Sequence, residues 1–307
     1  VTAPQGLTSR VIVQDGTVEA LHISLSANTS LGGATYTGRP ELIITGGTLR
    51  VIDKFYAANA PGSVATIAVQ GGYLRHEGLT QSLYLGQGGG EGILRITGGT
   101  AEFVNDVILG FAGAGNTGTL ELSGGELIVK RVYSLNTAST SRILFNGGVL
   151  KTTNGNLDNT IDVMQIGERP AIIDTSLWVG GEYMAIATAL TGAGASDGGF
   201  VKAGTGTIRL EAAQTYTGPT VISNGVLWIS PAGRIPTASA LTVAPGATLR
   251  INNLPSTNIA VSALTLGSAS DSTPAQLILS FDFGSACDRI DVNGDVTVHH
   301  AAISCMW

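Results

Sequence analysis

The sequence predicts an all-β fold, a right-handed parallel β-helix (a solenoid) of about twelve rungs, at a mean step of ~25 residues over the chain. Three observations carry this. A two-glycine corner recurs at short intervals, the apolar alternation reverses phase across each corner, and the composition favours short strands and tight turns.

Composition comes first. Glycine supplies 43 of 307 residues, about twice ordinary usage. It shows no Gly-X-Y period, which excludes collagen. Thr, Ser, Asn, Val, Ile and Leu fill most of the remainder, as many short strands require. Charged residues are only 12% against 43% hydrophobic, which excludes a disordered chain.

The corners follow in order: LIITGGTLRV from Leu42, TIAVQGGYLR from Thr66, LRITGGTAEF from Leu94, LELSGGELIV from Leu120 and ILFNGGVLKT from Ile143. A looser copy, VISNGVLWIS, begins at Val221 and turns at Gly225. The glycine pairs are Gly46–Gly47, Gly71–Gly72, Gly98–Gly99, Gly124–Gly125 and Gly147–Gly148. Steps of 25, 27, 26 and 23 residues between their first members suit solenoid rungs with loops of unequal length. Propeller blades need about 40 residues, and an antiparallel sandwich would not be expected to repeat one corner six times.

Parity adds a physical constraint. Residues two apart on a strand share a face. Ile44 and Leu49 are five apart, as are Val69 and Leu74, Ile96 and Ala101, Leu122 and Leu127, Phe145 and Leu150, and Ile222 and Leu227. On one flat strand the second member of each pair would point to solvent. A bend at the glycines turns both halves toward one interior, and glycine accepts the positive φ such a bend needs. The whole chain, 1–307, is therefore expected to form one β-helix domain, with looser Gly-Gly repeats over 40–150.

Residues 198–253 carry a tighter pattern. Lys202 leads into GTGT at Gly204–Thr207, then Ile208 and Leu210, TYTG at Thr215–Gly218 and NGVL at Asn224–Leu227. In this order the segment resembles the autotransporter-associated β-strand repeat of Gram-negative surface and secreted proteins. IIDTSLWVGGEYMAIATALTGAG before it and DRIDVNGDVTV after it are similar to that repeat's usual surroundings. The resemblance implies a right-handed β-helical stalk that displays adhesive or enzymatic modules, or is itself adhesive. It also implies an anchor, a C-terminal barrel or sorting tail, which is expected to lie outside residues 1–307.

Candidate chemistry is sparse. Asp291, Asn293 and Asp295 imitate the first ligand positions of a calcium loop, but Val296 stands where glycine is needed and Ala302 where a bidentate Glu belongs. An Asn-Gly turn between strands explains the same residues. His299 and His300 are adjacent, so on a strand they would face opposite ways. His22 and His76 have no motif around them and read as surface or half-buried residues. Carboxylate groupings at Asp53-Lys54, Glu102/Asp106 and Glu126/Lys130-Arg131 raise a polysaccharide lyase or hydrolase as the alternative, though Glu102 and Glu126 would be offset along the strand. GQGGGEG and GFAGAGNTG lack the Lys-Ser/Thr and helix of a phosphate loop and read as loops between rungs. Cys287 and Cys305 either pair on adjacent turns or are two small buried residues.

A net charge of −6 with scattered Lys and Arg offers no stripe for nucleic acid. No apolar run approaches the ~20 residues that span a bilayer, and the opening residues resemble neither a signal nor a transit peptide. The expectation is a non-enzymatic, cofactor-free structural or adhesive stalk at a Gram-negative surface or secreted from it. Its expected partners are surface glycans or other surface proteins. End-to-end self-association into fibres is a further alternative.

Overall fold

Parallel strands, stacked rung on rung, build the protein in the computed structural model, which describes residues 9–25, 38–78, 81–111, 113–135, 138–157, 160–252, 259–280 and 288–306. No helix occurs among them. Every described strand pairing is parallel, apart from one isolated antiparallel bridge between Ser268 and Asp271. The architecture is a β-solenoid. Cys287 and Asn253 lie outside the described residues.

Two compact units divide the chain: Val1–Gly155 with Asn159–Val163, and Asn156–Asp158 with Met164–Trp307. In the first unit, each rung has up to three walls. The first wall stacks Arg10–Val13, Glu41–Ile44, Val64–Val69, Glu91–Ile96, Thr117–Leu122 and Thr140–Phe145. The second stacks Thr17–Ala20, Thr48–Val51, Tyr73–His76, Thr100–Phe103, Glu126–Val129 and Val149–Thr152. The third holds Ile23–Leu25, Phe55–Ala57, Leu83–Gln87, Val107–Phe111 and Val132–Tyr133.

The glycine corners join the first wall to the second, and the parity argument holds at each of them. Ile44, Leu49, Val69, Leu74, Ile96, Ala101, Leu122, Leu127, Phe145 and Leu150 are all buried. Each pair bends inward. At Gly46–Gly47 the two glycines have separate tasks. A Cβ on Gly46 would collide with the carbonyl of Gln14 in the neighbouring rung, and Gly47 has φ +62°. The next three pairs repeat this division, while at Asn146-Gly147-Gly148 the positive φ moves to Gly147.

In the second unit the longest ladder runs Ala171–Asp174, Phe200–Ala203, Thr220–Ile222, Ala240–Val243, Ala263–Leu266 and Val296–Val298. A second wall runs Met184–Ile186, Thr207–Leu210, Val226–Ile229, Thr248–Ile251, Ala275–Ser280 and Ala301–Met306. The NGVL corner turns Ile222 and Leu227 inward, both fully buried, and Gly225 has φ +66°.

The solenoid makes about nine turns, fewer than the twelve expected from a uniform step. The first two walls of the first unit and the two walls of the second hold six strands each, and the remaining pairings are shorter. The third wall of the first unit has five strands, and the pairing of Ile259–Val261 with Ile290–Val292 has two. No helix among the described residues is long and apolar enough to cross a membrane.

Candidate functional site

Four polar residues of the tight repeat, Lys202, Gln214, Tyr216 and Thr220, face the interior. Alternation along Phe200–Ala203 puts Phe200 and Lys202 inward, and in register Lys202 stands between Ile173 and Ile222. A lysine in an aliphatic column must find acceptors or lose its charge. Its Nζ donates to Thr175 Oγ1 at 3.0 Å and to the carbonyls of Ala203 at 2.8 Å, Gly204 at 2.6 Å and Asn224 at 2.9 Å. Burial draws it down to about 8, with the charge of Asp174 opposing. The ammonium thereby ties the GTGT corner to the NGVL corner of the next rung.

The TYTG turn is held from the preceding rung. Asp197 accepts from the amides of Thr217 (2.6 Å), Gly218 (2.9 Å) and Gly199 (2.9 Å), and from the Thr217 hydroxyl. Burial would raise this carboxyl, but those bonds hold it below the usual range. Tyr216 is buried, and its hydroxyl joins Thr220 Oγ1 at 2.6 Å, which meets Ser239 Oγ at 2.8 Å. Burial pushes its phenol well above the ordinary tyrosine value. Gln214 accepts from the Leu190 amide and donates to the Ala212 carbonyl. In each case the motif polarity meets the chain's own groups.

The first unit carries its charge on the outer face of the second wall. Arg50 Nη1 meets Glu19 at 2.7 Å and its Nη2 meets Glu77 at 2.5 Å. Arg75 joins Glu77 (2.9 Å) to Glu102 (2.7 Å), and Glu102 also accepts from the Tyr73 hydroxyl. The Arg50 and Arg75 guanidiniums hold Glu77 down to about 2 against the opposing effect of burial. A carboxyl there stays ionised and has no proton to lend a leaving group. Glu102 pairs across the ladder with Ile128, and Glu126 with Thr100, so the two glutamates are offset as the repeat spacing indicated. Glu126 binds Lys151. Asp53 meets His22 at 3.0 Å, and Asp106 meets Arg131 at 3.0 Å.

The remaining sequence candidates separate. Asp291 lies on Ile290–Val292 beside Arg289 at 2.7 Å. Asn293 follows that strand, donating its amide to the Val261 carbonyl, and Asp295 sits after Gly294 with its carbonyl bound to the Leu264 amide. The segment is an Asn-Gly corner. His299 and His300 occupy the exposed turn between Val296–Val298 and Ala301–Met306, and Cys305 is exposed with a free thiol. The glycine-rich strings form loops after the third wall, where Asn116 binds the Gly89 amide and the carbonyls of Phe111 and Gly113.

Sequence reasoning missed two features. His76 is fully buried, not surface or half-buried. It stacks edge-on with Phe55 and Phe103, and its Nε2 meets the Asp53 carbonyl. The signal was available, because His76 occupies the inward position equivalent to Val51 and Phe103. The second is a left-handed residue near the end of each of three third-wall strands: Ala58, just after Phe55–Ala57, at φ 60°, and Gly86 and Gly110, next to last in theirs, at φ 74° and φ 71°.

Among known families, the passenger-associated-transport-repeat model matches residues 200–229. No curated protein and no solved structure matches the chain. The matched stretch contains Lys202, Tyr216 and Thr220, whose contacts bind successive rungs. Repeat and β-solenoid together fit an autotransporter passenger-like β-helix.

Proposed function

We propose that this passenger-type β-solenoid works as a non-enzymatic structural and adhesive stalk, outside or on the surface of a Gram-negative cell. The observation that carries the reading is the inward use of the repeat's polarity. Lys202, Asp197 and Tyr216 bind backbone and hydroxyl groups of neighbouring rungs, which is what a scaffold needs and a substrate pocket does not. The outer carboxylates of the first unit support the same reading. Glu77, Glu102 and Glu126 each meet a cation, a self-neutralised surface suited to weak repeated contacts.

Display tests it. The chain is fused to a carrier β-barrel in a Gram-negative host, and external protease shaving is measured together with retention of cells on host-cell and polysaccharide-coated surfaces. The reading expects shaving of the solenoid and retention above that of the barrel alone. Retention equal to the barrel, or release of reducing ends from a polysaccharide panel by the purified chain, overturns it.

A further inference from the structure

The outer face of the first unit's third wall is aromatic. Tyr56 and Tyr84 are in register on successive strands, and Tyr84, Ile108 and Tyr133 continue the same row. The Tyr56 and Tyr84 rings stack with centroids 5.4 Å apart, and Phe111 meets Tyr84 edge-on at 4.6 Å. Ile108 is buried beneath the row, while all four rings stay half-exposed. The Arg131 guanidinium lies 3.8 Å over the Tyr133 ring and pairs with Asp106.

Unused acceptors belong to the same strands. Asp106 is 7% exposed; its Oδ2 takes the Arg131 bond, and its Oδ1 has no hydrogen-bond partner. Gln87, in register with Phe111, has an Oε1 without a partner. Leaving such an acceptor unmet is costly. Those two oxygens are buried, whereas three phenol hydroxyls and an aromatic surface face outward and suit a ligand with many hydroxyls and a C–H face. Asp106 and Arg131 cancel each other, so the row carries no net charge to select an ionic ligand. Tyr56 and Tyr84 stand one rung apart, ~4.8 Å, which is close to the length of one pyranose residue, and Tyr133 lies two rungs beyond Tyr84.

We propose that the row Tyr56–Tyr84–Tyr133, with Phe111, is a binding site for a neutral polysaccharide lying along the third wall. The inference rests on the adhesive reading above and gives it a ligand class. Sugar rings lie over the aromatic row, and their hydroxyls exchange bonds with the tyrosine hydroxyls.

The test is titration calorimetry of the full chain with four neutral hexasaccharides: β-1,4-glucan, α-1,4-glucan, β-1,4-galactan and β-1,4-linked N-acetylglucosamine. A hexagalacturonate serves as the acidic comparison. At least one neutral hexasaccharide is expected to bind, with a loss of at least tenfold in Tyr84→Ala and a smaller loss in Tyr84→Phe. Should Tyr84→Ala unfold, Tyr84→Phe and Tyr133→Ala carry the same expectation of weaker binding. Binding by none of the neutral sugars, binding by the acidic one alone, or binding unchanged in folded variants overturns the site. Cell retention that persists without sugar binding defeats this inference alone. Sugar binding without retention defeats the stalk reading instead.

Discussion

Replacing Lys202 with methionine, close to it in volume, isolates the corner tie. Four acceptors surround Nζ, but they do not lose equally. The Ala203 carbonyl also takes the Thr175 amide at 3.0 Å, so it stays satisfied. The carbonyls of Gly204 and Asn224 lose their ammonium donor, at about 1–3 kcal/mol each. Removing a buried charge returns part of that, which leaves a net loss of about 2–4 kcal/mol. Urea unfolding followed by tryptophan fluorescence measures it, since Trp228 is buried in the same unit. The proton linkage gives an independent signature. With Lys202 held near 8 against an ordinary value of 10.5, the unfolded chain keeps a proton that the folded chain releases across that interval. Wild-type stability therefore gains from Lys202 as pH rises from about 8 to about 10.5, and Lys202→Met lacks that gain. A variant within about 0.5 kcal/mol of wild type at pH 7, with the same pH profile, refutes the tie.

Burial holds His76 below its ordinary 6.5, against the Asp53 carbonyl bond and charge. The unfolded chain then takes up a proton that the folded one refuses, so first-unit stability falls as pH drops below about 6.5; His76→Leu should flatten that slope in urea midpoints from pH 7.5 to 5. Tyr216→Phe removes the buried hydroxyl bonded to Thr220 and should cost about 1–2 kcal/mol by the same unfolding assay. Gly110→Ala places a Cβ 2.6 Å from that of Ser139 at φ +71°; a loss of more than about 1 kcal/mol is expected, whereas Ala58→Gly, which relieves a left-handed alanine, should be neutral or stabilising in thermal melts.

The corners were legible because a two-residue alternation has only two phases. Once Ile44 and Leu49 were seen five apart, a bend was needed to bury both. The third wall was harder to read. Val132–Tyr133 is two residues long, and loops of unequal length before such strands hide their period. Lys202 was visible as a motif residue, but not as a core residue. Three of its four acceptors are backbone carbonyls, which leave no trace in side-chain identity. The aromatic row was equally hidden, because Tyr56, Tyr84 and Tyr133 become neighbours only when the rung register is known.

Cross-linking distinguishes the parallel coil from its main rival most directly. Arg95 and Glu121 are in-register outward neighbours on adjacent parallel strands, whereas a hairpin turning at Gly98–Gly99 would instead oppose Arg95 and Glu102. In a background with Cys287→Ser and Cys305→Ser, the pair Arg95→Cys with Glu121→Cys should close rapidly under a short thiol cross-linker, within one chain. Arg95→Cys with Glu102→Cys should stay open. Efficient closure of the second pair, with the first unreacted, would contradict the solenoid.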